Sequence, residues 1–114
     1  MPLFLSQVSY NEAGWQALVS NPQNRADAVR AVVENLGGRL INSYLSFGDY
    51  DVVLISEFPD NVSVAALAMA AAAGGAIKSI KTTPLMDVSE GLEALRKASA
   101  SGYRAPVTGK ATSA

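Results

Sequence analysis

The sequence contains neither cysteine nor histidine among its 114 residues. Without cysteine there are no disulfides, thiol nucleophiles or thiolate metal ligands. Without histidine there is no imidazole to activate a nucleophile, to bind zinc or haem, or to titrate near neutral pH. We therefore expect no cofactor and no metal site. The side chains that are present favour a function other than catalysis.

Charge of either sign is also scarce. Nine Lys and Arg residues oppose ten Asp and Glu residues, so the net charge of -1 provides no basic field for nucleic acid or anionic lipid. The uncharged run 61–77 is weakly apolar and ended by glycine, unlike a membrane span. Met1–Leu5 lack the basic start of a signal peptide. We expect a cytoplasmic protein without nucleic-acid or membrane partners.

Along the chain, segments whose apolar residues have the spacing of a strand alternate with segments whose apolar residues have the spacing of a helix. A chain of this length supports one hydrophobic core. Helix starts are indicated by Asn11, which can serve as an N-cap, and by Asp87, which can open a capping box. The fold class is therefore α+β: a ferredoxin-like βαββαβ unit with a four-stranded antiparallel sheet, helices on one face and an extra C-terminal helix. We expect one domain over residues 1–98 and a disordered tail over 99–114. The predicted strands are 2–10, 39–47, 50–58 and 76–83, and the predicted helices are a short one after Asn11, then 25–36, 62–73 and 87–98.

The second and third strands form a predicted hairpin. Gly48-Asp49 between them fits a two-residue type II′ turn, with Phe47 opposite Tyr50. In that register Leu45 faces Val52 and Ser43 faces Leu54 on a core face for helices, while Ser46 faces Asp51, Tyr44 faces Val53 and Asn42 faces Ile55 on the other side. This second face is too apolar for comfortable exposure. It predicts a homo-oligomer, dimeric or larger.

Asp51 is the strongest candidate for chemistry. A half-buried carboxylate at this position could act as a general base, and the neighbouring Tyr44 hydroxyl could donate a hydrogen bond. Asp51 and Tyr44 are therefore the catalytic candidates if the protein is an enzyme. The competing interpretation, which we favour, is that Asp51 accepts hydrogen bonds that hold the turn.

A broader set of polar and aromatic residues is compatible with a small-molecule ligand. Aromatic rings are more often core or interface, and lysines on edge strands are more often solubility charges. The candidate ligand-binding residues are Tyr10, Asn42, Tyr44, Asp51, Lys78 and Lys81.

Several short segments together make the chain resemble the GYD-domain family, small proteins of the dimeric α+β barrel type. The resemblance covers about Leu3 to Leu95 and implies this fold and self-association, whereas no agreed activity comes with it. The segments are Asn24–Val29, Leu36-Gly37-Gly38, Phe47-Gly48-Asp49-Tyr50-Asp51-Val52-Val53, Phe58-Pro59-Asp60 and Lys81-Thr82-Thr83-Pro84-Leu85.

Three classes of function remain open. The favoured one is a homo-oligomeric small-molecule-binding or regulatory protein. The second is a cofactor-independent enzyme of monooxygenase or isomerase type, using Asp51 and Tyr44; only fold analogy supports it. The third is an interaction protein whose assembly is its function.

Overall fold

Four antiparallel strands and four helices make up the computed structural model, which describes residues 1–107. The sheet has the order β2-β3-β1-β4, so the chain has the predicted ferredoxin-like α+β fold with an additional C-terminal helix. The elements are β1 (Leu3–Tyr10), α1 (Glu12–Ser20), α2 (Arg25–Asn35), β2 (Arg39–Leu45), β3 (Val52–Glu57), α3 (Asn61–Ala73), β4 (Ile77–Leu85) and α4 (Val88–Ser99).

The helices begin and end where local capping chemistry directs them. The side chains of Asn11, Asn24, Asp60 and Asp87 each accept a backbone N–H in the first turn of α1, α2, α3 and α4, and Asp87 and Glu90 complete the predicted capping box. Gly37 and Gly75 adopt positive φ after α2 and α3, a conformation that glycine reaches without the clash of a Cβ atom.

The hydrophobic core lies between one face of the sheet and helices α2 and α3. Phe4, Val33, Phe58, Val64 and Leu67 are buried together there. The rings of Phe4 and Phe58 meet edge to face with centroids 6.2 Å apart, a favourable aromatic geometry. This cluster fixes both helices over one half of the sheet.

The predicted hairpin register is confirmed, but the predicted turn is wrong. Leu45 pairs with Val52, Tyr44 with Val53 and Asn42 with Ile55, whereas β2 ends at Leu45 and residues 46–51 form a longer loop. Gly48 does not have the positive φ that a type II′ turn requires.

Contacts with β1 explain the loop conformation. The Asp51 N–H donates to the Val8 carbonyl at 2.8 Å, and the Ser9 hydroxyl donates to the Asp49 carbonyl at 3.0 Å. Ser46 and Asp51 still face one another through a 2.8 Å bond from the Ser46 N–H to the Asp51 carbonyl. These bonds hold the loop against β1 instead of letting β2 and β3 run on to a tight turn.

Leu45 also departs from its expected place in the core. Its side chain is 80% exposed, although it lies on the same side of the sheet as buried Leu54. β2 is an edge strand that ends at this residue, so Leu45 projects past the part of the sheet that the helices cover.

α4 differs from the other helices because it buries no residue. The radius of gyration is 19.0 Å, well above the about 13 Å typical of a compact domain of 100 residues. α4 and the segment after it therefore extend away from the body. Residues 100–107 lack helix and strand, and the remainder of the predicted tail, 108–114, lies outside the described residues.

Candidate functional site

Asp51 occupies the point where the β2–β3 loop joins the end of β1. Its carboxylate accepts the backbone N–H of Tyr10 at 2.9 Å, and its own backbone bonds to Ser46 and Val8. This arrangement matches the interpretation that Asp51 holds the loop. A carboxylate that already accepts a bond from a half-buried backbone donor is not readily released to accept a substrate proton.

The other sequence-predicted residues fall into separate groups. Tyr44 and Lys81 lie in one row across the sheet, with Val53 and Gln7 between them. Neighbouring strands are about 4.8 Å apart, so Tyr44 and Lys81 are separated by three such steps. Asn42 lies in the next row, on the same face. The structure thus places Asn42, Tyr44 and Lys81 on one face without gathering them into a pocket.

The remaining two candidates lie elsewhere. Lys78 is the extra residue of an irregularity in the β1–β4 pairing, where Ser9 pairs with Ser79 and Tyr10 with Ile77. β4 is an edge strand, and both Lys78 and Lys81 are exposed. The ring of Tyr10 packs edge to face on Trp15, with centroids 5.3 Å apart.

The sheet face opposite the helices, which we call the outer face, has an apolar centre and a polar rim. The centre is formed by half-buried Leu3, Leu5, Val53, Ile55 and Leu85. The rim includes an ion pair between Arg39 and Glu57 at 2.8 Å, together with Asn42, Thr83 and Lys81. An apolar centre inside a polar rim is the usual anatomy of a protein interface.

A cleft that the sequence did not reveal lies on the helix side of the sheet. A volume of about 420 Å³ opens between α2 and α3, beyond the core cluster, and a second lobe of about 440 Å³ adjoins it next to α1. The floor of the first lobe is formed by Val8, Val52, Leu54 and Ile80, and its walls by α2 and α3, with α1 closing one end. We refer to the two lobes together as the helix-side cleft.

The alanines of α3 leave this space open. Ala70 and Ala71 line the first lobe where longer side chains would fill it. The alanine-rich composition was visible in the sequence, but it also fits a helix covered by a partner. The separation between α2 and α3 could not be inferred from either helix alone.

Polar groups are few along the cleft. Among residues 1–107, Arg25 is the only charged residue lining either lobe, and Tyr10 and Gln23 also line both. Burial raises the pKa of the Tyr10 phenol; the nearby Arg25 cation opposes this rise and the Asp51 carboxylate adds to it. The cleft is therefore a mainly apolar space that contains one cation, one phenol and a few neutral polar side chains.

Groups suited to a metal ion are absent from the described part of the chain, where no three acidic residues cluster. Within the same part, no helix is long and apolar enough to span a bilayer.

Comparison with known proteins agrees with the fold. A relative from Thermus thermophilus, named "Glutamine synthetase and cystathionine beta-lyase binding protein", is 27% identical over 90 residues, which cover 77% of this chain and 95% of the relative. Residues 4–95 match the family described as the GYD domain, which confirms the resemblance seen in the sequence. Since this match covers most of the chain, the protein belongs to the GYD domain family.

Proposed function

We propose that this protein is a self-associating regulatory module that acts by binding another protein. The observation that carries the proposal is the uncovered apolar side of α4. Val88, Leu92 and Leu95 recur at helical spacing, and they are 88%, 47% and 67% exposed. An amphipathic helix with nothing packed on its apolar side is a common protein-recognition element.

The ends of α4 show that its sequence favours helix even without that cover. The Asp87–Glu90 capping box satisfies its first turn, and Arg96 and Lys97 lie in its last turn, where cations complement the helix dipole. The helix is therefore already formed in the unbound protein, which lowers the entropic cost of binding a partner.

The name of the Thermus relative suggests the first partners to test. That protein is described as binding glutamine synthetase and cystathionine beta-lyase. We extend this to the present chain as a proposal: its partner is an enzyme of amino-acid metabolism, and α4 provides part of the contact.

Binding of the purified full chain to purified glutamine synthetase and to cystathionine beta-lyase, measured by biolayer interferometry, tests this proposal. The variant carrying both Leu92→Glu and Leu95→Glu should bind at least about tenfold more weakly, because two buried apolar contacts become carboxylates. Lys97→Glu is the matched control. It changes the net charge by the same amount on the polar side of α4, and its affinity should stay within about twofold.

Two results would contradict the proposal. If wild-type protein binds neither enzyme, the assignment of the partner fails. If the double variant binds as tightly as wild type, α4 is not the contact.

Self-association is the second part of the proposal, and the apolar centre of the outer face supports it. The cytoplasmic location predicted from the sequence remains a prediction. The enzymatic alternative has weaker support, because the Asp51 carboxylate accepts the Tyr10 N–H and Tyr44 is 55% exposed on the outer face, outside the helix-side cleft.

A further inference from the structure

The helix-side cleft has the size and lining of a small-molecule site. Its first lobe of about 420 Å³ falls in the range of about 300 to 1,000 Å³ that is usual for ligand pockets. Apolar side chains from three elements line it: Leu54 from β3, Val29 from α2 and Leu67 from α3. An apolar ligand body would cover surface that is otherwise left to water.

The polar groups of the cleft specify the charge of that ligand. Arg25 is the one charged residue lining it within residues 1–107. Its guanidinium donates to the neutral Gln23 side-chain oxygen at 3.3 Å, and no carboxylate of the same residues forms an ion pair with it. Five residues further along α2, by contrast, Arg30 is paired with Asp27 at 3.0 Å. Arg25 therefore keeps its donors available for an anion.

Tyr10 provides a second donor next to Arg25. Its side chain lines both lobes, as that of Arg25 does, and its position is fixed by the ring contact with Trp15 and by the bond from its backbone to Asp51. A guanidinium and a phenol hydroxyl are suitable donors for the two oxygens of a carboxylate.

From these features we propose that the helix-side cleft binds an organic acid, with its apolar body between α2 and α3 and its carboxylate on Arg25 and Tyr10. The proposal is independent of the protein-binding role, because the cleft and the outer face lie on opposite sides of the sheet and α4 does not line the cleft.

Titration of the ¹⁵N-labelled full chain with octanoate, followed by amide chemical shifts, tests the proposal, with 1-octanol as the uncharged probe of equal chain length. Octanoate should shift the amides of Tyr10, Val29 and Ala71 to saturation. It should bind at least about fivefold more tightly than 1-octanol, because only the acid can pair with Arg25.

Two pairs of variants locate the ligand. Arg25→Gln should weaken octanoate at least about fivefold and leave 1-octanol within about twofold, whereas Arg30→Gln, on the same helix, should change neither. Ala71→Leu should abolish binding of both probes by filling the first lobe, whereas Ala73→Leu places the same side chain on an exposed position that does not line the cleft. If Ala71→Leu does not fold, Ala28→Leu blocks the cleft from α2.

Three results would overturn the proposal. The first is equal affinity of wild-type protein for octanoate and 1-octanol. The second is unchanged octanoate binding in a folded cleft-filling variant. The third is the lack of a saturable shift at about 10 mM octanoate, a concentration that reaches even millimolar affinities.

Discussion

Asp51 shows how one residue connects the start of β3 to β1 and to the loop after β2 through its side chain and its backbone together. Its carboxylate accepts the Tyr10 N–H of β1, its N–H donates to the Val8 carbonyl of β1, and its carbonyl accepts the N–H of Ser46, the first residue after β2. The Gly-Asp-Tyr-Asp segment that marks the family in sequence therefore has a structural role that needs no ligand. A catalytic role of Asp51 stays a separate prediction. The contribution of its side chain to the free energy of unfolding can be measured directly.

We expect Asp51→Ala to lower the free energy of unfolding by about 1 to 2 kcal/mol, because the Tyr10 N–H loses a charged acceptor in a half-buried position. Asp51→Asn should lower the free energy of unfolding by less than half of this amount, since its amide oxygen can still accept the Tyr10 N–H. Urea unfolding followed by circular dichroism measures both.

Asp49→Ala is the control for Asp51, two residues away in the same loop. Its exposed side chain makes no hydrogen bond within residues 1–107, and only its backbone carbonyl bonds to Ser9. Its stability should change by no more than about 0.5 kcal/mol. Equal effects of the two alanine variants would mean that the Asp51 carboxylate does not hold the loop.

Among the elements, the features that sequence reasoning predicted correctly are those set by neighbouring residues. Asn11 and Asp87 cap their helices by accepting N–H groups three residues further along the chain, and the hairpin register is predicted by the position of Gly48-Asp49 midway between the two strands. Each of these depends on only a few consecutive positions, so it can be seen in the sequence.

Features that depend on distant residues were not predictable in the same way. The 46–51 loop is shaped by Val8 and Ser9, which are about forty positions earlier in the chain. The helix-side cleft depends on how far α2 and α3 lie apart, and no pattern within either helix encodes that separation. Arg25 therefore looked like one more polar residue of an amphipathic helix, although it lines the cleft.

The N-terminal cap of α3 makes a pH-dependent contribution to stability. The Asp60 carboxylate accepts the hydroxyl of Ser63 at 2.7 Å and its N–H at 2.9 Å, and these bonds hold the pKa of Asp60 below its usual value of 3.8. Since the unfolded chain binds this proton more readily, the stabilisation is present above about pH 4 and is lost as the pH falls through the folded-state pKa.

Asp60→Asn should flatten the loss of stability between about pH 5 and about pH 2.5, because asparagine also caps helices well but does not titrate. The urea midpoint measured across this range checks the prediction. Asp49→Asn, which removes an exposed carboxylate outside any cap, should keep the wild-type slope. An unchanged slope in Asp60→Asn would contradict the assignment.

At the scale of the whole molecule, one copy covers its sheet on one side only. Helices α2 and α3 lie over the core face, whereas the outer face presents Leu5, Val53 and Ile55 within a polar rim. A second copy placed over this face would bury those residues and leave the helix-side cleft, on the opposite side of the sheet, open. Self-association, ligand binding and partner binding would then use three separate surfaces, and each can be altered alone.

We expect the wild-type chain to be a dimer or a larger oligomer at low micromolar concentration, and Ile55→Lys to be a monomer, because a lysine at the centre of the outer face would bring an unpaired charge into the interface. Native mass spectrometry measures the subunit number, and circular dichroism confirms that the variant is folded. Val62→Lys adds the same charge at an exposed position of α3 and should remain oligomeric. A wild-type monomer, or an Ile55→Lys oligomer of unchanged mass, would show that the outer face is not where the copies meet, and the apolar residues of α3 and α4 would then be the surfaces to test for assembly.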